Sequence, residues 1–329
     1  MRFYLKSISL FCFLSGSFLS YSQTLQGFKA TGSFNEQEMS VTDTVNKISI
    51  NIIAPLQLKK KAETHLVFFA LPNGNSIEWT KGKKLNPGDD WHFDIQHIAA
   101  QMRFVRMLDK KNNYIIVYLM AVQKSWPAWK RNTPNALNII KQTVDSITGM
   151  FRAYNPSVVL NGHSGGGSFI FGYLDAVKEI PANIDRIAFL DSDYGYNNTL
   201  HSRKLISWLK QSNKNKLFVL AYNDSIVIYN GKPLVSPTGG TWYRSRLMQR
   251  DLSSAFRFSS SEDTSFITHK ALNGRIQIIL KHNPRGLIYH TVQVEKNGFI
   301  LSLLSGTKFD KRKYFTYFGE RAYEEYIGE

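Results

Sequence analysis

The sequence predicts an α/β protein, a mostly parallel sheet wrapped by helices on both faces. Three observations carry this. Short apolar runs of strand length alternate with apolar residues at helical spacing along most of the 329 residues. The run 65–71 is almost uninterrupted in its hydrophobicity, as a strand covered on both faces requires. Between 158 and 174 an apolar strand meets a glycine-flanked serine, and apolar residues at helical spacing follow it.

Taken in order, strands are expected at 47–58 and 65–71. From Asp94 the series Ile95, Ile98, Ala99, Met102, Val105, Met107 and Leu108 has the period of a helix. A strand over 114–122 and a helix over about 134–154 come next. The strand ending at Ser164 leads into a helix, and 186–190, 200–209 and 217–222 read as strand, helix and strand. The alternation breaks after Asp224, where residues 225–274 are too long for an ordinary connection. Within that insertion Asn230-Gly231 suits a hairpin turn and 242–255 a helix, so it is either a cap over the site or a decorated surface loop. The strand 275–280 and a final helix from about Lys296 close the chain.

Residues 1–22 carry Arg2 and Lys6, then an apolar stretch from Ile8 to Leu19, then Ser20-Tyr21-Ser22, the pattern of an export signal. The one cysteine, Cys12, lies inside this leader, so residues 23–329 are expected to form a single domain without disulfide or thiol chemistry. Loss of Arg2 and Lys6, with no acidic residue in the leader, takes the formal charge from +16 to +14. The lysines are dispersed in small clusters without an arginine-rich helix, which argues against nucleic acid and for a solvated basic surface or attraction to acidic glycans. Beyond the leader no stretch is apolar enough to cross a membrane as a helix. The expected location is therefore exported, in the periplasm or secreted.

The chemistry centres on Gly162-His163-Ser164-Gly165-Gly166. A serine hydroxyl becomes a useful nucleophile when a sharp strand-to-helix turn presents it, and that turn needs glycine where side chains would collide. Ser164 then requires an imidazole to take its proton and a carboxylate to hold that imidazole. In a parallel sheet both come from loops at the carboxyl ends of strands. His290, after the strand 275–280 and before the closing helix, is the expected base; His282 is the runner-up, His269 precedes that strand and is less well placed, and His163 and His65 are expected to be structural. Asp224, delivered by the strand 217–222, is the expected acid, with Asp191 and Asp193 able to serve if the acid comes from one strand earlier. Oxyanion donors are expected from the backbone amides of Gly165 and of Asn75, in the loop Pro72-Asn73-Gly74-Asn75.

The order Ser164, Asp224, His290, with a glycine-bearing loop ahead of all three, resembles the α/β-hydrolase superfamily over about residues 45 to 306, and in particular exported bacterial hydrolases of esterase type. The likeness implies an α/β-hydrolase-like sheet with the insertion before its last strand, and no cofactor. It departs at the oxyanion loop, where the superfamily's common His-Gly is Asn73-Gly74. The resemblance implies hydrolysis of a small-molecule or glycan-linked carboxylic ester, with a peptidase as the near rival. Trp126 and Trp129, together with Asn73, are expected to line the substrate site, and Trp79 and Trp242 share that rim. A catalytically silent glycan-binding protein gripping its ligand through Trp126 and Trp129 is the alternative of another class. The metal-ligand residue types between Asp89 and His97 are explained as well by acidic residues at a helix start.

Overall fold

The computed structural model describes residues 24–89 and 95–328. The proposed leader and Asp90–Asp94 lie outside the described residues. Thirteen strands occur in chain order among the described residues: β1 Lys29–Ala30, β2 Glu36–Asp43, β3 Ile48–Pro55, β4 Thr64–Ala70, β5 Asn113–Ala121, β6 Ser157–His163, β7 Ile184–Leu190, β8 Lys216–Tyr222, β9 Ile228–Tyr229, β10 Lys232–Pro233, β11 Ser259–Glu262, β12 Phe266–Ala271 and β13 Ile276–Lys281. The helices are α1 Ile77–Lys81, α2 Ile98–Leu108, α3 Trp126–Asn132, α4 Ala136–Met150, α5 Gly167–Ala176, α6 Arg203–Gln211, α7 Thr241–Leu252, α8 Val292–Glu295 and α9 Gly298–Leu304.

Eleven strands form one sheet in the order β1-β2-β3-β5-β4-β6-β7-β8-β13-β12-β11. The six central strands from β5 to β13 run parallel, while β2 and β3 at one edge and β12 and β11 at the other are antiparallel. Parallel neighbours need crossovers, and the helices supply them on both faces.

The strand β4 shows how the sequence dictates this. Leu66, Phe68 and Ala70 join one core with Trp126, Ile140, Phe169 and Trp208 from α3 to α6. Val67, Phe69 and Leu71 join the other with Ile98 and Val105 of α2 and with Phe299 and Leu304 of α9. Because successive side chains of a strand point to opposite faces, an unbroken apolar run is what two covered faces demand.

The helix expected from Asp94 begins at Ile98, and its first expected residues fall partly outside the described segment. The insertion 225–274 divides into three parts. The hairpin β9–β10 turns at Asn230-Gly231 and stands exposed, α7 packs against β8, and β11 and β12 extend the sheet beyond β13. The two tryptophans expected at the substrate rim are core instead: Trp126 and Trp129 are 2% and 0% exposed. Their rings pack edge to face at 5.3 Å, and their indole N–H groups donate to the carbonyls of Leu119 and Asn46. The α3 helix that carries them turns back over β5, which buries what the sequence alone leaves on a rim.

Candidate active site

The carboxyl ends of β6, β7, β8 and β13 lie side by side along one edge of the sheet. β6 ends at His163, which is in register with Leu190 at the end of β7. Ser164 and Asp191 are therefore next residues on adjacent strands, about 5 Å apart in backbone spacing. Both leave the sheet in the left-handed region, with φ of 53° and 47°. For residues with a side chain that conformation costs of the order of 1 to 2 kcal/mol each, and it persists only where the surroundings enforce it.

The enforcement at Ser164 is steric. A Cβ on Gly166 would lie 2.1 Å from the Ala70 carbonyl oxygen, and one on Gly165 would lie 2.0 Å from Oδ1 of Asn73. The elbow is thus wedged against the end of β4, where only glycine fits at 166, whereas a side chain at 165 would have to displace the exposed side chain of Asn73. Ser164–Gly166 form a single helical turn that continues into α5. The first amides of a helix have no partner within it, so the Gly165 N–H lies where a donor is free. Asn73 and Gly74 are exposed at the loop tip and Asn75 is buried behind them. Gly74, with φ of 82°, makes the turn and donates its amide to the Lys124 carbonyl.

His290 lies between β13 and α8, as expected, and is partly exposed. Its Nδ1 makes a short hydrogen bond to Oδ2 of Asp191, whose side chain is fully buried. The carboxylate that meets the imidazole is therefore Asp191 and not Asp224. Asp224 faces the other way: its carboxylate accepts the backbone N–H of Thr241 at 2.9 Å and of Trp242 at 3.4 Å, capping the start of α7. Both aspartates follow a strand, and the choice between them is made by α7, whose N-terminus claims Asp224. The Thr241 hydroxyl joins the two, with a short bond to Oδ1 of Asp191 and 3.3 Å to Oδ2 of Asp224.

Electrostatics follow from burial. Burial first, and the neighbouring Asp191 charge second, push Asp224 up to about 6 in spite of its backbone donors. Asp193, which accepts from the Ser245 hydroxyl at 2.8 Å, is pushed well above the usual carboxylate range, chiefly by burial and then by Asp191. His282 pairs with Glu262 at 3.0 Å, and His269 with the Ser260 hydroxyl at 2.7 Å.

His163 has a part that the sequence did not announce. Its ring lies 4.5 Å from that of His290, and its Nε2–H donates to the His290 carbonyl at 3.0 Å. Burial holds His163 far below the ordinary imidazole range, so it remains the neutral donor this bond needs. The elbow residue before the serine thereby anchors the loop that carries the imidazole. Among the other expected rim residues, Trp79 and Trp242 are half-buried, on α1 and α7. Among the described residues no cluster of three or more metal-ligating side chains occurs. Asp89, from the acidic stretch, pairs with Lys83 at 3.1 Å.

No protein-family model matches the chain, and no curated protein matches it. Solved structures do. A thermostable esterase is 11% identical over 85% of this chain and 64% of its own, with a TM-score of 0.47. Poly(aspartic acid) hydrolase-1 from Sphingomonas sp. KT-1 is 12% identical over 82% of this chain and 98% of its own, with a TM-score of 0.44. Acetyl xylan esterase from Aspergillus awamori is 10% identical over 75% and 92%, with a TM-score of 0.42. At TM-scores below 0.5 these likenesses are loose. The chain's own topology, with antiparallel leading strands, a parallel centre and a serine elbow at the carboxyl edge, is the α/β-hydrolase-like sheet that the sequence predicts.

Proposed function

We propose that the chain is an exported serine hydrolase that cleaves carboxylic esters through an acyl-enzyme on Ser164. The observation that carries this reading is the bond between His290 and the buried Asp191, one strand from a serine held in a left-handed elbow. His290 spends Nδ1 on Asp191, which leaves Nε2 as the ring nitrogen for the Ser164 proton.

In this mechanism Nε2 takes that proton as Oγ attacks the ester carbonyl carbon. Asp191 keeps the imidazole in the right tautomer and stabilises the imidazolium that forms. The negative oxygen of the tetrahedral intermediate is held by the Gly165 and Asn75 amides, each such donor contributing about 3 kcal/mol. Nε2–H then passes its proton to the departing alcohol oxygen, and the acyl group stays on Ser164. A water molecule, deprotonated by Nε2, releases the acid by the reverse sequence. Asn73, whose side chain lies over Gly165, borders the place where the acyl carbonyl would enter. Asp224 in this reading supports the acid rather than being it.

The full burial of Trp126 and Trp129 speaks against a glycan grip through those two rings, and so favours hydrolase over silent binder. A fluorophosphonate probe tests the reading: labelling of the native protein that disappears in Ser164→Ala is expected, and absence of labelling in the native protein overturns it. Turnover of p-nitrophenyl acyl esters against peptide anilides separates esterase from peptidase. Export rests on the leader at residues 1–22. Its check is the N-terminal sequence of the protein recovered outside the cytoplasm, expected to begin at Gln23.

A further inference from the structure

The two aspartates and the threonine between them form an arrangement that a helix cap alone does not require. Asp191 and Asp224 are 0% and 1% exposed and lie on either side of one hydroxyl. That hydroxyl has a single proton, and the shorter contact assigns it to Asp191. Its lone pairs then face Asp224 Oδ2 at 3.3 Å. Asp224 instead holds Thr241 through its backbone, Oδ2 accepting the Thr241 N–H at 2.9 Å, while Asp191 accepts from both the Thr241 hydroxyl and His290. Gly240 holds the group in place, since a Cβ there would lie 2.4 Å from Asp224 Oδ1. Among the described residues neither carboxylate has an ion pair with lysine or arginine. The groups facing Asp224 are Asp191 and Asp193 beyond β7, Tyr194 beside them, Tyr222 on β8, and the Thr241 and Trp242 amides on α7. Those facing His290 are Asp191 and His163.

We propose that Thr241 is a positioning residue for the Asp191–His290 pair, and that Asp224 holds Thr241 in place through the start of α7. This deepens the hydrolase reading and rests on it. The hydroxyl fixes the rotation of the Asp191 carboxylate so that Oδ2 meets His290 Nδ1–H squarely, and Asp224 fixes the hydroxyl. Among the described residues neither Thr241 nor Asp224 hydrogen-bonds Ser164 or the His290 ring.

The test uses the mature chain with Thr241→Val, Thr241→Ser and Asp224→Asn. Valine keeps the shape and the α7 amides but removes the hydroxyl, and kcat for a p-nitrophenyl ester is expected to fall about tenfold to a hundredfold with KM unchanged. Serine restores the hydroxyl and is expected to restore kcat. The low-field proton resonance of His290 Nδ1–H, identified by its loss in Asp191→Asn, should move upfield in Thr241→Val and return in Thr241→Ser. Asp224→Asn removes a negative charge near the imidazolium, so the acidic limb of kcat/KM should move to lower pH. An unchanged kcat and resonance in Thr241→Val overturns the proposal, as does failure of serine to rescue a loss or an unmoved acidic limb in Asp224→Asn. Because the resonance reports geometry without turnover, it decides this proposal even if the native protein takes no fluorophosphonate, the result that sinks the hydrolase reading.

Discussion

At each edge of the central sheet a histidine meets an aspartate near a serine, and in the proposed mechanism only the carboxyl-edge set transfers a proton. At the amino edge, His65 Nδ1 lies 3.0 Å from the Ser157 hydroxyl and 3.7 Å from Asp185. At the carboxyl edge, His290 Nδ1 meets Asp191 and Ser164 occupies the neighbouring elbow. In the amino-edge set one ring nitrogen faces both partners, so the carboxylate and the hydroxyl compete for the same position. A relay needs one partner on each nitrogen. Ser157 also begins a regular strand in register with His65, where backbone amides serve the ladder, whereas Ser164 heads a helix whose first amides are free. Finally, His65 stacks on Tyr114 at 4.8 Å and is held below the usual imidazole range, first by burial. Residue types in contact do not make a catalytic site. Which nitrogen faces which partner, and what the backbone does at the serine, decide it.

Substitutions at matched positions put this contrast at risk. The largest effect is expected at the serines: Ser164→Ala should lower kcat for a p-nitrophenyl ester by about 10⁵-fold or more and abolish fluorophosphonate labelling. Ser157→Ala should leave both within about twofold. Reversal of that order would mean the wrong edge has been assigned. Next come the carboxylates, where Asp191→Asn is expected to cost about 10⁴-fold in kcat by favouring the wrong imidazole tautomer. Asp185→Asn should leave kcat unaltered and show itself, if at all, in thermal stability. Should the two behave alike in steady-state assays, the carboxyl edge has no special standing.

A smaller effect is expected at His163. His163→Phe keeps a ring against His290 but loses the donor to its carbonyl, a part-buried bond worth about 1 kcal/mol of stability. Loosening of the imidazole loop should lower kcat about tenfold or more. His65→Phe, its counterpart at the amino edge, should affect unfolding alone. Chemical denaturation combined with steady-state kinetics separates these outcomes.

Smallest in its effect on turnover is a pH dependence of stability. Asp224 rises from 3.8 to about 6 on folding, so the folded chain binds that proton more tightly than the unfolded chain does. Between those values the native state carries more protons, and stability falls as pH rises through them. Above about pH 6 the ionised group costs about 3 kcal/mol relative to its protonated state. Asp224→Asn lacks this titration and asparagine still caps a helix. Its Tm relative to the native chain should therefore rise by a few degrees between pH 4 and pH 7.5. A constant difference across that range would show that Asp224 is not perturbed.

The parallel centre of the fold was legible because β4, β5, β6, β7, β8 and β13 are apolar on both faces, and a doubly covered strand can hardly be written in other residues. The edges were not. β2 reads Glu-Gln-Glu-Met-Ser-Val-Thr-Asp and β11 reads Ser-Ser-Ser-Glu, sequences whose strand character comes from pairing with a neighbour rather than from their own hydrophobicity. The elbow was legible through its glycines, whose need is local and steric. His163 was hidden, because its partner carbonyl is 127 residues away.

By itself, then, the sequence determined where a strand must be buried on both faces and where backbone must turn too sharply for any side chain, since both are matters of what neighbouring residues permit. The tertiary structure alone chose between Asp191 and Asp224. Both end apolar strands, and nothing in either segment distinguishes them. The start of α7, brought over the end of β8, claims Asp224 with its free amides and leaves Asp191 to the imidazole. It also chose the fate of Trp126 and Trp129, which α3 folds into the core. Those decisions depend on distances across the sheet, and a linear pattern carries no information about which of two equivalent ends another element will reach first.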